Sequence, residues 1–246
     1  MTYDQVMKEL KAMGTAQNRK VYARHGIGEN MFGVSFANLN LLRKKIKINH
    51  PLAHKLWASG NHDARVLATL IAEPFEFNSA ELDAWLGDCD NYVLTDMYAA
   101  LVSKTSFVAK KAEKWSKSKQ EWTARAGWLL QTRLAMTGTD LTDDYFETLL
   151  DTIQTTIHSS KNRVRDAMNT AVINIGLRNT KLEKKAVAAA KAIGTVEVDH
   201  GETGCKTPDA IEYMKKTKEY RKKQKAKRAE KAKAAREKRK PLGKRR

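Results

Sequence analysis

Apolar residues recur at three- and four-residue spacing along almost the whole chain, and the alternating apolar-polar runs that mark half-buried strands are nearly absent. This periodicity restricts the core to helices packed on helices. Helix signals follow one another closely, over residues 3–13, 16–25, 38–48, 51–58, 62–73, 91–104, 107–116, 120–136, 143–157 and 163–177, with a loop through Phe32, Gly33 and Val34. Asn78 with Glu81 reads as a capping box ahead of a short helix to Leu86, and Thr180 with Glu183 as another before an Ala-rich helix that stops at Gly194. Thr207, Pro208 and Asp209 read as the cap of a final helix. About a dozen short helices on short connections predict an all-α solenoid of about six antiparallel helix pairs.

A solenoid requires a repeat, and three segments align loosely: HDARVLATLIA around Arg65, WTARAGWLLQT around Arg125 and RVRDAMNTAVI around Arg165. Each places an arginine about one turn into an apolar helix, at separations compatible with repeats of roughly 40 residues. Stacking brings equivalent positions onto one face, where each arginine could contact phosphate or make a salt bridge to the next repeat.

The net charge of +18 is very unevenly placed. Residues 215–246 hold 18 Lys and Arg against 3 Asp and Glu, a surplus of 15 that leaves +3 for residues 1–214. The chain therefore divides into a body, 1–214, and a basic tail, 215–246, too polar for a core yet Ala-rich enough to be partly helical. Nucleic acid is the natural partner of such a tail, because each phosphate it neutralises releases counterions; a merely solubilising tail is the alternative. Cys89 and Cys205 lie far apart with no CxxC spacing, which argues against a disulfide framework and a cysteine zinc site and fits a reducing, cytoplasmic setting. No apolar run approaches a membrane span, so no membrane partner is expected. His50 and His54 have ligand-like spacing, but Pro51 intervenes and no acidic companion follows, so neither metal nor small-molecule cofactor is expected.

Several ordered motifs then resemble one family. MFGVSFANLNLLRKK, HKLWASGNHDARVLATLIAEP, DNYVLTDMYAAL, QEWTARAGWLL and RVRDAMNTAVINIG are similar, in order, to the motifs of the AlkD-like DNA alkylation-repair enzymes, over about residues 3–215. The resemblance implies a HEAT-like fold, binding of double-stranded DNA by a monomer, association with the nucleoid, and hydrolysis of the N-glycosidic bond of N3- or N7-alkylated purines. An alkylated purine is already a good leaving group, so a carboxylate that steadies the sugar cation suffices. On the matching positions, Asp96 is the catalytic aspartate and Arg125 a backbone-contacting arginine. Tyr92 stands where the family commonly has tryptophan, and Thr170 where a second active-site tryptophan would be. Arg165 is expected to help clamp the duplex. The departures at Tyr92 and Thr170 motivate a second reading, a non-catalytic DNA-binding or lesion-sensing solenoid, and HEAT-type arrays allow a third, a protein-protein scaffold.

Overall fold

The computed structural model describes residues 1–138 and 140–238. Among these the regular structure is thirteen α-helices and two single 3₁₀ turns, with no strand. The helices are α1 (Tyr3–Met13), α2 (Ala16–Arg24), α3 (Phe36–Ile46), α4 (His50–Ala58), α5 (His62–Ile71), α6 (Ser79–Gly87), α7 (Tyr92–Val102), α8 (Val108–Ser116), α9 (Glu121–Thr137), α10 (Asp143–Thr156), α11 (Asn162–Gly176), α12 (Thr180–Ile193) and α13 (Ala210–Lys238). They stack in pairs as the solenoid that the periodicity predicts. None of the described helices is long and apolar enough to cross a membrane. Residues 239–246, the end of the basic tail, lie outside the described residues.

Short polar side chains set most helix starts. Thr15, Ser35, Asn49, Asn61, Asn78, Asn91 and Asn179 each accept a first-turn backbone N–H, which satisfies a donor that the helix itself leaves open. The Asn78–Glu81 capping box forms as expected, and Thr2 with Gln5 makes a second one. The box expected at Thr180 and Glu183 does not form. Asn179 caps α12 by accepting from Leu182, and Glu183 turns outward to Lys218 at 2.6 Å. Similarly, α3 begins at Phe36 rather than Asn38, because the Ser35 hydroxyl accepts from the Asn38 amide.

Two hydrophobic clusters fill the molecule, and α9 belongs to both. Its Ala126, Leu130 and Leu134 join the cluster built by α1 and α3–α8; its Ala124, Trp128 and Ala135 join that built by α10–α13. A helix enclosed on all sides needs no polar stripe, which is why ten α9 residues are buried, Arg125 and Gln131 among them. It approaches α8 closely: a Cβ at Gly127 would fall 2.1 Å from the Ser116 backbone nitrogen, so only glycine permits this approach. Trp57, Trp85, Trp115 and Trp128 are buried in these cores, with Trp57 and Trp85 stacked at 4.1 Å.

Two connections are long, residues 25–35 and 194–209. The first is held by one buried side chain. Asp63, at the start of α5, is fully enclosed and accepts from the backbone amides of Phe32, Gly33 and Val34 at 2.6, 3.0 and 2.8 Å. Such a triple acceptor fixes the loop, and α2 hangs from it through Tyr22 on the Val34 carbonyl and Asn18 on the Gly33 carbonyl.

Candidate functional site

Helices α7, α9 and α11 lie side by side and bring three charged residues together. The Arg125 guanidinium, 3% exposed, donates from Nε and Nη2 to the two oxygens of Asp96 at 2.7 and 2.9 Å. Its Nη1 donates to Asp166 Oδ2 and to the Arg163 carbonyl, both at 2.8 Å. Four of its five donors are thus committed. The phosphate contact expected of Arg125 finds no open face here; the geometry makes it the buried clamp that orients two carboxylates. Asp96, in contrast, keeps 40% of its side-chain surface open, so one edge of its carboxylate faces solvent while the other is pinned. Crowding by protein pushes the Asp96 carboxyl above its ordinary pKa, with Arg125 pulling it back. Burial acts against the Arg125 charge as well, but Asp96 and Asp166 outweigh it and hold the guanidinium pKa above its usual value. Bidentate donation requires an acceptor-only carboxylate, so the pair is charged at neutral pH.

Tyr92, one turn before Asp96 on α7, is covered rather than open. The Arg163 guanidinium lies 4.4 Å from its ring centroid and that of Arg125 5.5 Å, both cation-π distances. Its hydroxyl hydrogen-bonds His25 Nδ1 at the end of α2. Burial raises the Tyr92 pKa. The Arg163 amide donates to Glu121 at 2.7 Å, and its Nη1 meets His200 Nδ1 at 3.3 Å. His200 belongs to the second long connection, tied to α11 by the reciprocal Asn162–Asp199 bonds at 2.7 Å. Both long connections thus end on the same cluster.

Of the residues singled out by sequence, Asp96, Arg125 and Tyr92 are brought together. Thr170 sits one turn beyond Asp166 and donates to the Asp166 carbonyl at 3.0 Å within its own helix, so it supplies no aromatic wall. Arg165 is half-buried, and its Nε lacks a partner. Arg65, the equivalent arginine of the earlier repeat, is structural: it donates to the Trp57 and Asp88 carbonyls and lies over the Trp57 ring. Sequence reasoning missed Asp166, Arg163, His25 and His200. The RVRD run contained the first two, but nothing local distinguishes them from surface charges. Among the described residues no group of three or more His, Cys, Asp or Glu is placed to hold a metal. A cleft of about 630 Å³ opens among α8, α9, α10 and α11 around Trp128, Tyr145 and Leu149, and shares no residue with the cluster.

Comparison with known proteins gives this geometry a context. A family model described as DNA alkylation repair enzyme matches residues 6–214. Two uncharacterised proteins, Lin0241 of Listeria innocua and Lmo0209 of Listeria monocytogenes, are each 31% identical over 224 residues, 89% of this chain and 98% of theirs. A solved structure matches with a TM-score of 0.82 and 31% identity over 89% of this chain and 95% of its own. That protein is described as one of a new family of proteins related to the HEAT-like repeat DNA glycosylases with affinity for branched DNA structures.

Proposed function

We propose, because this chain belongs to the DNA alkylation repair enzyme family, that it binds distorted or branched duplex DNA on the face of α7, α9 and α11 that carries Tyr92, Asp96 and Arg163. The observation that carries this is Arg163: its guanidinium caps the Tyr92 ring at 4.4 Å, forms no ion pair with a carboxylate among the described residues, and stands at the edge of a cluster whose other arginine is buried with four of its five donors committed. A planar fork in that position suits a phosphate. The affinity for branched DNA described for the structural relative supports the same substrate class.

A second reading keeps the family's hydrolysis, and the open edge of Asp96 favours it. A carboxylate oriented by a buried arginine and half exposed to solvent is suited to steady a sugar cation while an N3- or N7-alkylpurine departs. Against it, the ring that would pack the sugar is already covered by a cation, and Thr170 leaves the opposite wall open. A cation beside a developing cation opposes the transition state.

One experiment separates the two. Release of 7-methylguanine and 3-methyladenine from methylated duplex is measured beside binding of the same protein to a four-way junction and to intact duplex, for the parent and Asp96→Asn. Binding without release, unchanged in the variant, is the expected result. Release that collapses in Asp96→Asn would replace the binding reading with the hydrolytic one, and absence of DNA binding would sink both.

A further inference from the structure

Helix α13 has a root and an arm that differ in kind. Ala210 and Met214 at the root are buried in the second core cluster, and Met214 rests on Gly176, where a Cβ would fall 2.2 Å from its sulfur. Lys218 then pairs with Glu183 at 2.6 Å, and Arg221 reaches the Leu177 carbonyl at 3.4 Å. Beyond Arg221, Lys222, Lys223, Lys225, Lys227, Arg228 and Lys231 are all exposed, and none forms an ion pair among the described residues. At 100° per residue these six fall on every side of the helix rather than on one face.

The direction of the arm is fixed by α11. Arg163 lies in the first turn of α11, whereas Arg221 touches Leu177, just past its last. The exposed cations therefore begin about 20 Å from the cluster, and the helix continues for about another 25 Å, at about 1.5 Å per residue. A rod lying along one phosphate surface would use only the cations on its near side. One with cations all round is matched by phosphates on opposite sides, as between two duplex arms or within a major groove about 12 Å wide.

We infer that the arm of α13 from Lys222 onward is a second DNA seat, which takes a duplex arm other than the one held at Arg163, so that discrimination between branched and linear DNA resides in this helix. The inference rests on the α7–α9–α11 face being a DNA seat. The two seats act together by effective concentration: a junction whose arms reach both gains affinity over a linear duplex that fills one. Unbound, the arm holds like charges close together; phosphates relieve that repulsion, so its helicity increases on binding.

The test uses the full chain in three forms: the parent, a variant with Lys222, Lys223, Lys225, Lys227, Arg228 and Lys231 changed to Gln, and Arg163→Gln with Arg165→Gln. Glutamine preserves helix propensity, and circular dichroism verifies that each form is folded. Each is titrated with a four-way junction and with a linear duplex of equal length over a range of salt. In the arm variant the junction affinity is expected to fall at least tenfold and its salt slope to flatten, with the linear duplex weakened no more than about threefold. Equal losses on both DNAs would mean that the arm lies along the same duplex, and unchanged binding would mean that it touches none; either overturns the inference. Loss of junction preference in the arm variant, with parental binding by the Arg163 and Arg165 variant, would support the arm and sink the α7–α9–α11 seat.

Discussion

Asp63→Asn isolates the single side chain from which α2 is suspended. The carboxylate serves three amides: Phe32 and Gly33 on Oδ2, Val34 on Oδ1. Asparagine offers one oxygen, so its best orientation keeps the first two bonds and turns an NH₂ group toward the Val34 amide. A buried N–H left without an acceptor costs about 1–3 kcal/mol, and the two remaining bonds weaken by about 1 kcal/mol each once the acceptor is neutral. Relief of the desolvation cost of a buried charge offsets part of this. The net loss is about 2–4 kcal/mol, or roughly 5–15 °C in Tm for a chain of this length. Thermal unfolding followed by circular dichroism measures it, with the exposed Asp151→Asn as reference. The loop also positions α2 and hence His25 on the Tyr92 hydroxyl, so tyrosine fluorescence and DNA affinity should change in Asp63→Asn but not in the reference. A Tm within about 1 °C of the parent would refute the assignment of Asp63 as the loop's anchor.

Further outcomes follow from other contacts. Burial alone would raise the Asp83 pKa, but hydrogen bonds from Lys111, Lys114 and Trp115 outweigh it and hold it at about 2. Its stabilisation is therefore complete above about pH 4 and disappears as pH falls toward 2; discounted for a partly exposed group, about 1–2 kcal/mol separating the parent from Asp83→Asn should vanish over that window in acid melts. Gly127→Ala forces α8 and α9 apart and should lose about 3 kcal/mol, whereas Gly87→Ala, with nothing within 4 Å of the added carbon, should be neutral or slightly stabilising in the same denaturant titration. Arg125→Gln removes the cation that bridges Asp96 and Asp166 and leaves only the more distant Arg163, at a loss of about 3 kcal/mol near neutral pH. Burial then acts on the Asp96 carboxyl with less to oppose it, so part of the loss should return on mild acidification, and Asp166→Asn in the same chain should restore stability at neutral pH.

The sequence discloses what is periodic or local. Helix α1 runs over Tyr3–Met13 as the pattern predicts, and Asn78 with Glu81 forms its box, because spacing and caps act within a few residues. Where local chemistry offers two solutions, packing decides: Asn179 displaces Thr180 as cap, since Glu183 is drawn to Lys218 on a helix that begins 27 residues later. The cluster was only half visible for the same reason. Asp96 and Arg125 stood out through a family likeness, but the partners of Arg125 lie 29 and 41 residues away, and His25 lies 67 residues from Tyr92. The repeat aligned Arg65, Arg125 and Arg165 as equivalents, yet the structure buries one, ties one to carbonyls and leaves one with an unpartnered Nε, because neighbouring repeats present different partners to the same position.

The root of α13 closes the open end of the stack: Ala210 and Met214 cover apolar surface on α11 and α12 that would otherwise face water. The first turns of this helix are thus bound to the interior, while the cations from Lys222 to Lys231 are exposed. Evolution can lengthen, shorten or discard the arm without reopening the stack, so its length should drift among related chains while the seat of Met214 stays fixed. The reach of the arm can thus be retuned without refolding the body.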